Sequence, residues 1–265
     1  MRPLLQGRDL LPVIAPILVG AVILGIWQIT CTALAIPDYL FPAPTRIWHA
    51  LMADWRTLLH ALVGTLEVTL LAFALAVVCG SLIALVFVQS RLIEISLLPY
   101  AIMLQVTPIV AIAPLLLIYL SSSAAVLVVA FLVAFFPILA NTTLGLSSAD
   151  RNLRDLFQLY RANRWQELAW LRLPSALPYF LAGLRIGGGL ALIGAIVAEI
   201  AAGTAGQGAG LAYRIIESGF RLNVARMFAA LLLISAAGIT IYLLLSALSY
   251  LLLRHWHESA HGRET

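Results

Sequence analysis

Six long apolar stretches dominate this chain, at 10–36, 64–88, 95–120, 123–146, 175–202 and 227–253. A bilayer core is crossed by about 20 consecutive apolar residues in a helix. Each stretch meets that length. A barrel strand would instead alternate over about ten residues, a pattern absent here. The predicted fold is therefore an all-α integral membrane protein with six transmembrane helices. One transmembrane domain covers residues 1–265. Only Ser121 and Ser122 separate the third and fourth stretches, which predicts a tight helical hairpin.

Composition closes off the soluble alternatives. Of 265 residues, 62% are apolar and 11% charged; soluble chains carry about 25% charged residues. All 16 basic residues are arginine, and lysine is absent. A P-loop ATPase needs a lysine on the β- and γ-phosphates, so this chain does not hydrolyse ATP by that route. Schiff-base chemistry is excluded on the same ground. The net charge of +4 calls for no nucleic acid, because inner membrane loops are arginine-rich anyway. Cys31 and Cys79 lie in apolar runs and predict no disulfide. The first stretch is too long for a signal peptide and is read as a retained span.

Arginine placement sets the orientation. With the N-terminus inside, ten arginines fall on inner segments and five on outer ones, leaving Arg185 uncounted. Both termini are then cytoplasmic. Two outer segments carry structure of their own. The segment 37–60 has a helical pattern through Ile47, Leu51 and Trp55, with Thr45 able to cap it. It is expected to lie flat on the outer surface. The segment 203–226 contains Gly206, Gly208 and Gly210. Without a βαβ context these predict a flexible loop rather than a dinucleotide site.

The one long inner segment, 147–174, is too polar to span yet helical in pattern. Ser148 or Asp150 can cap its start. Leu153, Phe157, Tyr160 and Arg164 recur on one helical face. Leu173-Pro174 is expected to stop the helix before the fifth span. Such an amphipathic helix either packs on its own bundle or the membrane interface, or docks in a groove of a cytoplasmic partner. Trp165 suits an interfacial anchor.

This segment resembles the cytoplasmic loop of binding-protein-dependent ABC importer permeases. Aligned on Leu173-Pro174, the family's acid falls on Asp155, its two alanines on Leu156 and Phe157, and its glycine on Arg161. The acid and the Leu-Pro match; the alanines and the glycine do not. The surroundings resemble the branch that serves sulfonate, taurine, nitrate and thiamin-precursor pyrimidines. They include Phe41-Pro42-Ala43-Pro44, Pro108 with Pro114, Phe136-Pro137 with Asn141 and Gly145, and Arg164-Trp165-Gln166. Leu173 to Pro178, Gly183-Leu184-Arg185 and Gly210-Leu211 complete the set. The resemblance spans roughly residues 10–255.

The resemblance implies a coupling helix between the fourth and fifth spans, in a bacterial inner-membrane protein. It implies a second permease copy (a homodimer), a pair of ABC ATPase subunits, and a periplasmic or lipid-anchored binding protein. ATP binds the partner; this chain has no cofactor and is not an enzyme. The expected ATPase-coupling residues are Arg154, Asp155, Phe157, Tyr160, Arg161, Arg164 and Gln166. Arginine adopts left-handed angles at a cost, so the loop's turn is expected to move to Ala162-Asn163. A bulky Phe157 predicts a matching hollow in a dedicated ATPase.

Gln105, Thr107, Pro108, Asn141 and Glu199 are candidates for the translocation path. Each has helix packing as its alternative role. Gly187, Gly188 and Gly189 allow close approach or a hinge. Glu67 and Glu199 lie near span ends, where an interfacial role is as open as a functional one. A secondary transporter or channel working without an ATPase is the alternative reading, although no inverted repeat supports it. The scarcity of charge favours a planar, mostly neutral solute, pyrimidine- or riboflavin-like, over sulfonate, taurine or nitrate. His255, His257 and His261 form a solvated tail rather than a metal site.

Overall fold

The structure is a computed structural model that describes residues 11–203 and 210–254. Arg2, Arg8, Gly206, Gly208 and the histidines at 255, 257 and 261 lie outside the described residues. Among those described, every regular element is helical. The order is α1 (Leu11–Ala33), α2 (Pro44–Ala53), α3 (Trp55–Gln89), α4 (Arg91–Val106), α5 (Ile109–Tyr119) and α6 (Ser122–Ser147). Then come α7 (Arg151–Leu159), α8 (Arg164–Glu167), a π-helical turn (Leu168–Arg172), α9 (Leu173–Ala202), α10 (Leu211–Phe220) and α11 (Val224–Leu253). Five described helices are long and apolar enough to cross a membrane: Ile14–Ala33, Trp55–Gln89, Ser122–Ser147, Arg164–Ala202 and Val224–Leu253.

The third apolar stretch is not one helix. It breaks between α4 and α5 at Thr107-Pro108. Pro108 forces its predecessor out of the helical region, and Thr107 takes φ −63° and ψ 128°. The Thr107 hydroxyl donates back to the Met103 carbonyl at 2.7 Å. Ser121 then caps α6, accepting from the Ala124 N–H at 3.4 Å, and the expected tight hairpin follows.

The described residues group into two compact units. One comprises 11–60 with 214–233. Trp27 stacks on Phe41 with ring centroids 5.1 Å apart, and Phe228 meets Phe41 edge-on at 6.0 Å. Ile47 and Leu51 of α2 are buried. Thr45 does not cap α2. Pro44 occupies the first turn, where a missing N–H costs nothing, and the Thr45 N–H is itself capped by Gln28 Oε1 at 3.2 Å. Glu217 binds Arg214 and Arg221, each at 2.9 Å, while Arg226 pairs with Asp54.

The other unit comprises 61–203 and 210–213 with 234–254. Its centre is the pair α6 and α9, which approach through small residues along their length. A methyl added at Gly194 would lie 2.9 Å from the Ala130 Cα, and one at Gly145 would lie 2.7 Å from the Tyr179 Cβ. Ala134, Ile138 and Ala191 are fully buried there, joined by Ala76 of α3. Gly187 and Gly188 meet Ile138 and Leu245 closely, whereas Gly189 faces open space. Two of the three glycines thus serve close packing.

Candidate functional site

The segment 147–174 folds as two short helices joined by a tight turn. Asp150, not Ser148, caps α7, accepting from the Asn152 N–H at 2.7 Å. Ser148 instead closes α6. α7 ends at Leu159, so Arg164 begins the next helix and does not share the face of Leu153, Phe157 and Tyr160.

The turn falls on Arg161 itself. Its φ is +54°, contrary to the expectation that the turn would shift to Ala162-Asn163. The hydrogen bonding explains why. Arg161 N–H donates to the Gln158 carbonyl and Ala162 N–H to the Phe157 carbonyl, both at 2.9 Å. This pair of bonds closes a helix only when the residue between has left-handed angles. Asn163 has a different task. It caps α8 in a reciprocal box: its Oδ1 accepts from the Gln166 N–H, and Gln166 Oε1 accepts from the Asn163 N–H, both at 2.8 Å. A sequence signal for this box existed, an Asn three residues before a Gln.

Sequence reasoning passed over Glu167, which holds the two helices together. Its Oε1 accepts from Arg154 Nε at 3.2 Å and from Arg172 at 2.7 and 2.9 Å. Arg154 is thereby engaged inside the loop. Charged hydrogen bonds of this kind are stronger than neutral ones. Leu173-Pro174 does not stop the helix. The π-helical turn carries it from α8 into α9: the Leu173 N–H bonds to the Leu168 carbonyl, five residues back, and the widened turn accommodates Pro174, which has no N–H to donate. A continuous helical path thus runs from Arg164 to Ala202.

Between α7 and this helix lies a cavity of 380 Å³ lined by Leu156, Phe157, Tyr160, Ala162, Gln166 and Trp170. Phe157 is half-buried against it; Asp155, Tyr160, Arg161, Arg164 and Gln166 are exposed. Arg164 faces a second, polar cavity of 210 Å³ with Gln89, Glu167 and Arg172. No residue of α7 is buried. Leu153, Leu156, Leu159 and Tyr160 all remain exposed. The apolar face of α7 is therefore left uncovered by the described residues.

The path candidates are dispersed. Gln105, Thr107 and Pro108 are exposed around the α4–α5 break. Asn141 is half-buried, and its Nδ2 donates to the Pro137 carbonyl at 2.8 Å. Glu199 is buried at the far end of α9. Its carboxylate accepts from the Thr65 hydroxyl at 2.8 Å and from the Ala212 N–H at 3.2 Å. Glu67 is exposed on α3. No cluster of metal-binding side chains exists among the described residues.

Known proteins are similar to this chain in sequence. The model of the binding-protein-dependent transport system inner membrane component matches residues 72–259. A probable ABC transporter permease protein of Haemophilus influenzae is 35% identical, over 86% of this chain and 91% of its own. The riboflavin transport system permease of Chloroflexus aurantiacus is 32% identical, over 89% of this chain and 88% of its own. The formylaminopyrimidine transport permease of Halalkalibacterium halodurans is 31% identical, over 90% of this chain and 94% of its own. The crystal structure of an amino acid ABC transporter with histidines superposes with a TM-score of 0.62 at 19% identity, covering 77% of this chain and 96% of that one. That last likeness speaks to the fold alone. The chain therefore belongs to the inner-membrane permease components of binding-protein-dependent ABC transporters.

Proposed function

We propose that this chain forms the solute path of an ATP-driven importer and that α7 and α8 are the surface through which a separate ATPase moves it. The observation that carries this reading is the uncovered apolar face of α7 on a hairpin stiffened by Glu167. An amphipathic helix gains stability by burying its apolar stripe. None of the described residues buries that stripe, so a partner of complementary shape fits it. ATP-driven closure of the ATPase pair would shift α7, and Glu167 would pass the shift to α9. Such a switch needs contacts that differ between the two states. In this arrangement the loop and both termini are cytoplasmic. The broken α4–α5 segment supplies the sixth crossing, two copies enclose the path, and a binding protein delivers the solute outside.

For the solute we favour a planar, mostly neutral molecule of the riboflavin or pyrimidine class over sulfonate, taurine or nitrate. The names of the two relatives above agree with the scarcity of charge in the spans. No observation favours a transporter working without an ATPase.

The deciding experiment reconstitutes this chain in a bilayer with the ATPase and binding protein encoded beside it. Loaded binding protein should stimulate ATP hydrolysis, and Phe157→Ala with Arg164→Glu should abolish that stimulation while the complex stays assembled. Full stimulation in the double variant would remove the loop from the coupling role. Uptake of riboflavin and a formylaminopyrimidine, set against taurine and nitrate, tests the solute class.

A further inference from the structure

Glu199 entered the sequence reading as a path candidate, but its surroundings describe a clasp. Thr65 of α3 donates its hydroxyl proton to the carboxylate, 2.8 and 3.1 Å from the two oxygens. The same hydroxyl oxygen accepts from the Leu211 N–H at 2.9 Å, and Ala212 donates to the carboxylate at 3.2 Å. Leu211 and Ala212 open α10, where a carboxylate is favoured by the exposed N–H groups. Thr65, Leu211 and Ala212 are fully buried. Gly210 completes the fit, since a Cβ there would occupy the space of the Glu199 carboxyl group.

The clasp has a counterpart. Glu167 and Glu199 sit near opposite ends of one helical path, Arg164–Ala202, of 39 residues. At 1.5 Å per residue the path is about 58 Å long. Glu167 ties one end to α7 through Arg154. Glu199 ties the other to α3 and to the first turn of α10. Opening the clasp would leave a buried carboxylate short of donors, which is unfavourable. The connection therefore persists while the path moves.

We propose that Glu199, with Thr65 and Gly210, is a positioning element for transport. It makes the start of α10 follow the helix whose other end carries the coupling loop, so each side reports to the other. The proposal rests on the functional reading above.

The test compares Thr65→Val, Thr65→Ser and Gly210→Ala in the reconstituted complex with ATPase and loaded binding protein. Two readouts are taken: stimulation of hydrolysis by the binding protein, and the amount of assembled complex. Thr65→Val, by removing a hydrogen bond to the carboxylate, and Gly210→Ala, by displacing it, should each cut stimulation about tenfold or more, the lower end of what one charged hydrogen bond contributes, with basal hydrolysis and assembly unchanged. Thr65→Ser keeps the hydroxyl and should keep stimulation. Unchanged stimulation in Thr65→Val and Gly210→Ala, or a loss only in step with assembly, would overturn the proposal. A wild-type complex that ignores loaded binding protein overturns the functional reading instead, and this inference with it.

Discussion

Replacing Arg161 by glycine tests the turn between α7 and α8 most directly. Arg161 holds φ +54° to complete the two closing hydrogen bonds of α7. A side chain in that conformation costs about 1–2 kcal/mol. Glycine removes this strain but loses about 0.5–1 kcal/mol through its freer unfolded chain. The balance favours glycine by about 0.5–1 kcal/mol over alanine there. Arg161→Ala is the control, because it removes the guanidinium and keeps the strain. Hydrogen exchange at the Arg161 and Ala162 amides reads the difference locally. Protection should be about two- to fivefold higher in the glycine variant than in the alanine one. Equal or lower protection in Arg161→Gly would refute the strain argument. The pair also separates backbone from side chain in coupling. If the guanidinium touches the ATPase, both variants lose stimulation alike.

Four further outcomes are expected. Arg161→Gly should not be unique, because Ala35 and Leu222 also end helices at positive φ; glycine at either should raise the unfolding temperature relative to serine. Gly194→Ala should destabilise the α6–α9 pair by about 1–3 kcal/mol through overpacking against the Ala130 backbone. Gly189→Ala meets nothing within 4 Å and should be neutral or slightly stabilising by thermal melt in detergent. Hydrogen bonding to Arg214, with the charges of Arg226 and Arg221, holds the Glu217 carboxyl below its ordinary range despite partial burial. Its folded value being the lower one, its stabilisation is complete above about pH 4.3 and is lost as pH falls through the folded value. Glu217→Gln should flatten that acid-side slope in unfolding measured against pH.

The branch resemblance and the loop's place in the chain were legible because periodicity and motif spacing are local. Asp150 as a cap and the apolar face of α7 followed from the same patterns. Among the expectations that failed, two in the segment 147–174 did so for reasons of local geometry that propensity alone does not weigh. Arginine's reluctance toward left-handed angles lost to the two hydrogen bonds that end α7. Leu173-Pro174 read as a stop, but the π-helical turn just before it shifts the bonding by one residue and lets the helix run through the proline.

The sequence by itself determined that the chain is helical, spans a membrane and lacks the means to bind ATP in a P-loop. Hydropathy run length and the absence of lysine suffice for that, since each depends on residue type alone. Only the tertiary structure decided that Glu167 clasps α7 to α8, that Glu199 joins Thr65 and the start of α10, and that Gly210 must leave room for it. Thr65 and Glu199 are 134 residues apart in sequence. Their partnership arises from the close approach of small-residue helix faces, and no pattern along a single helix encodes which faces meet.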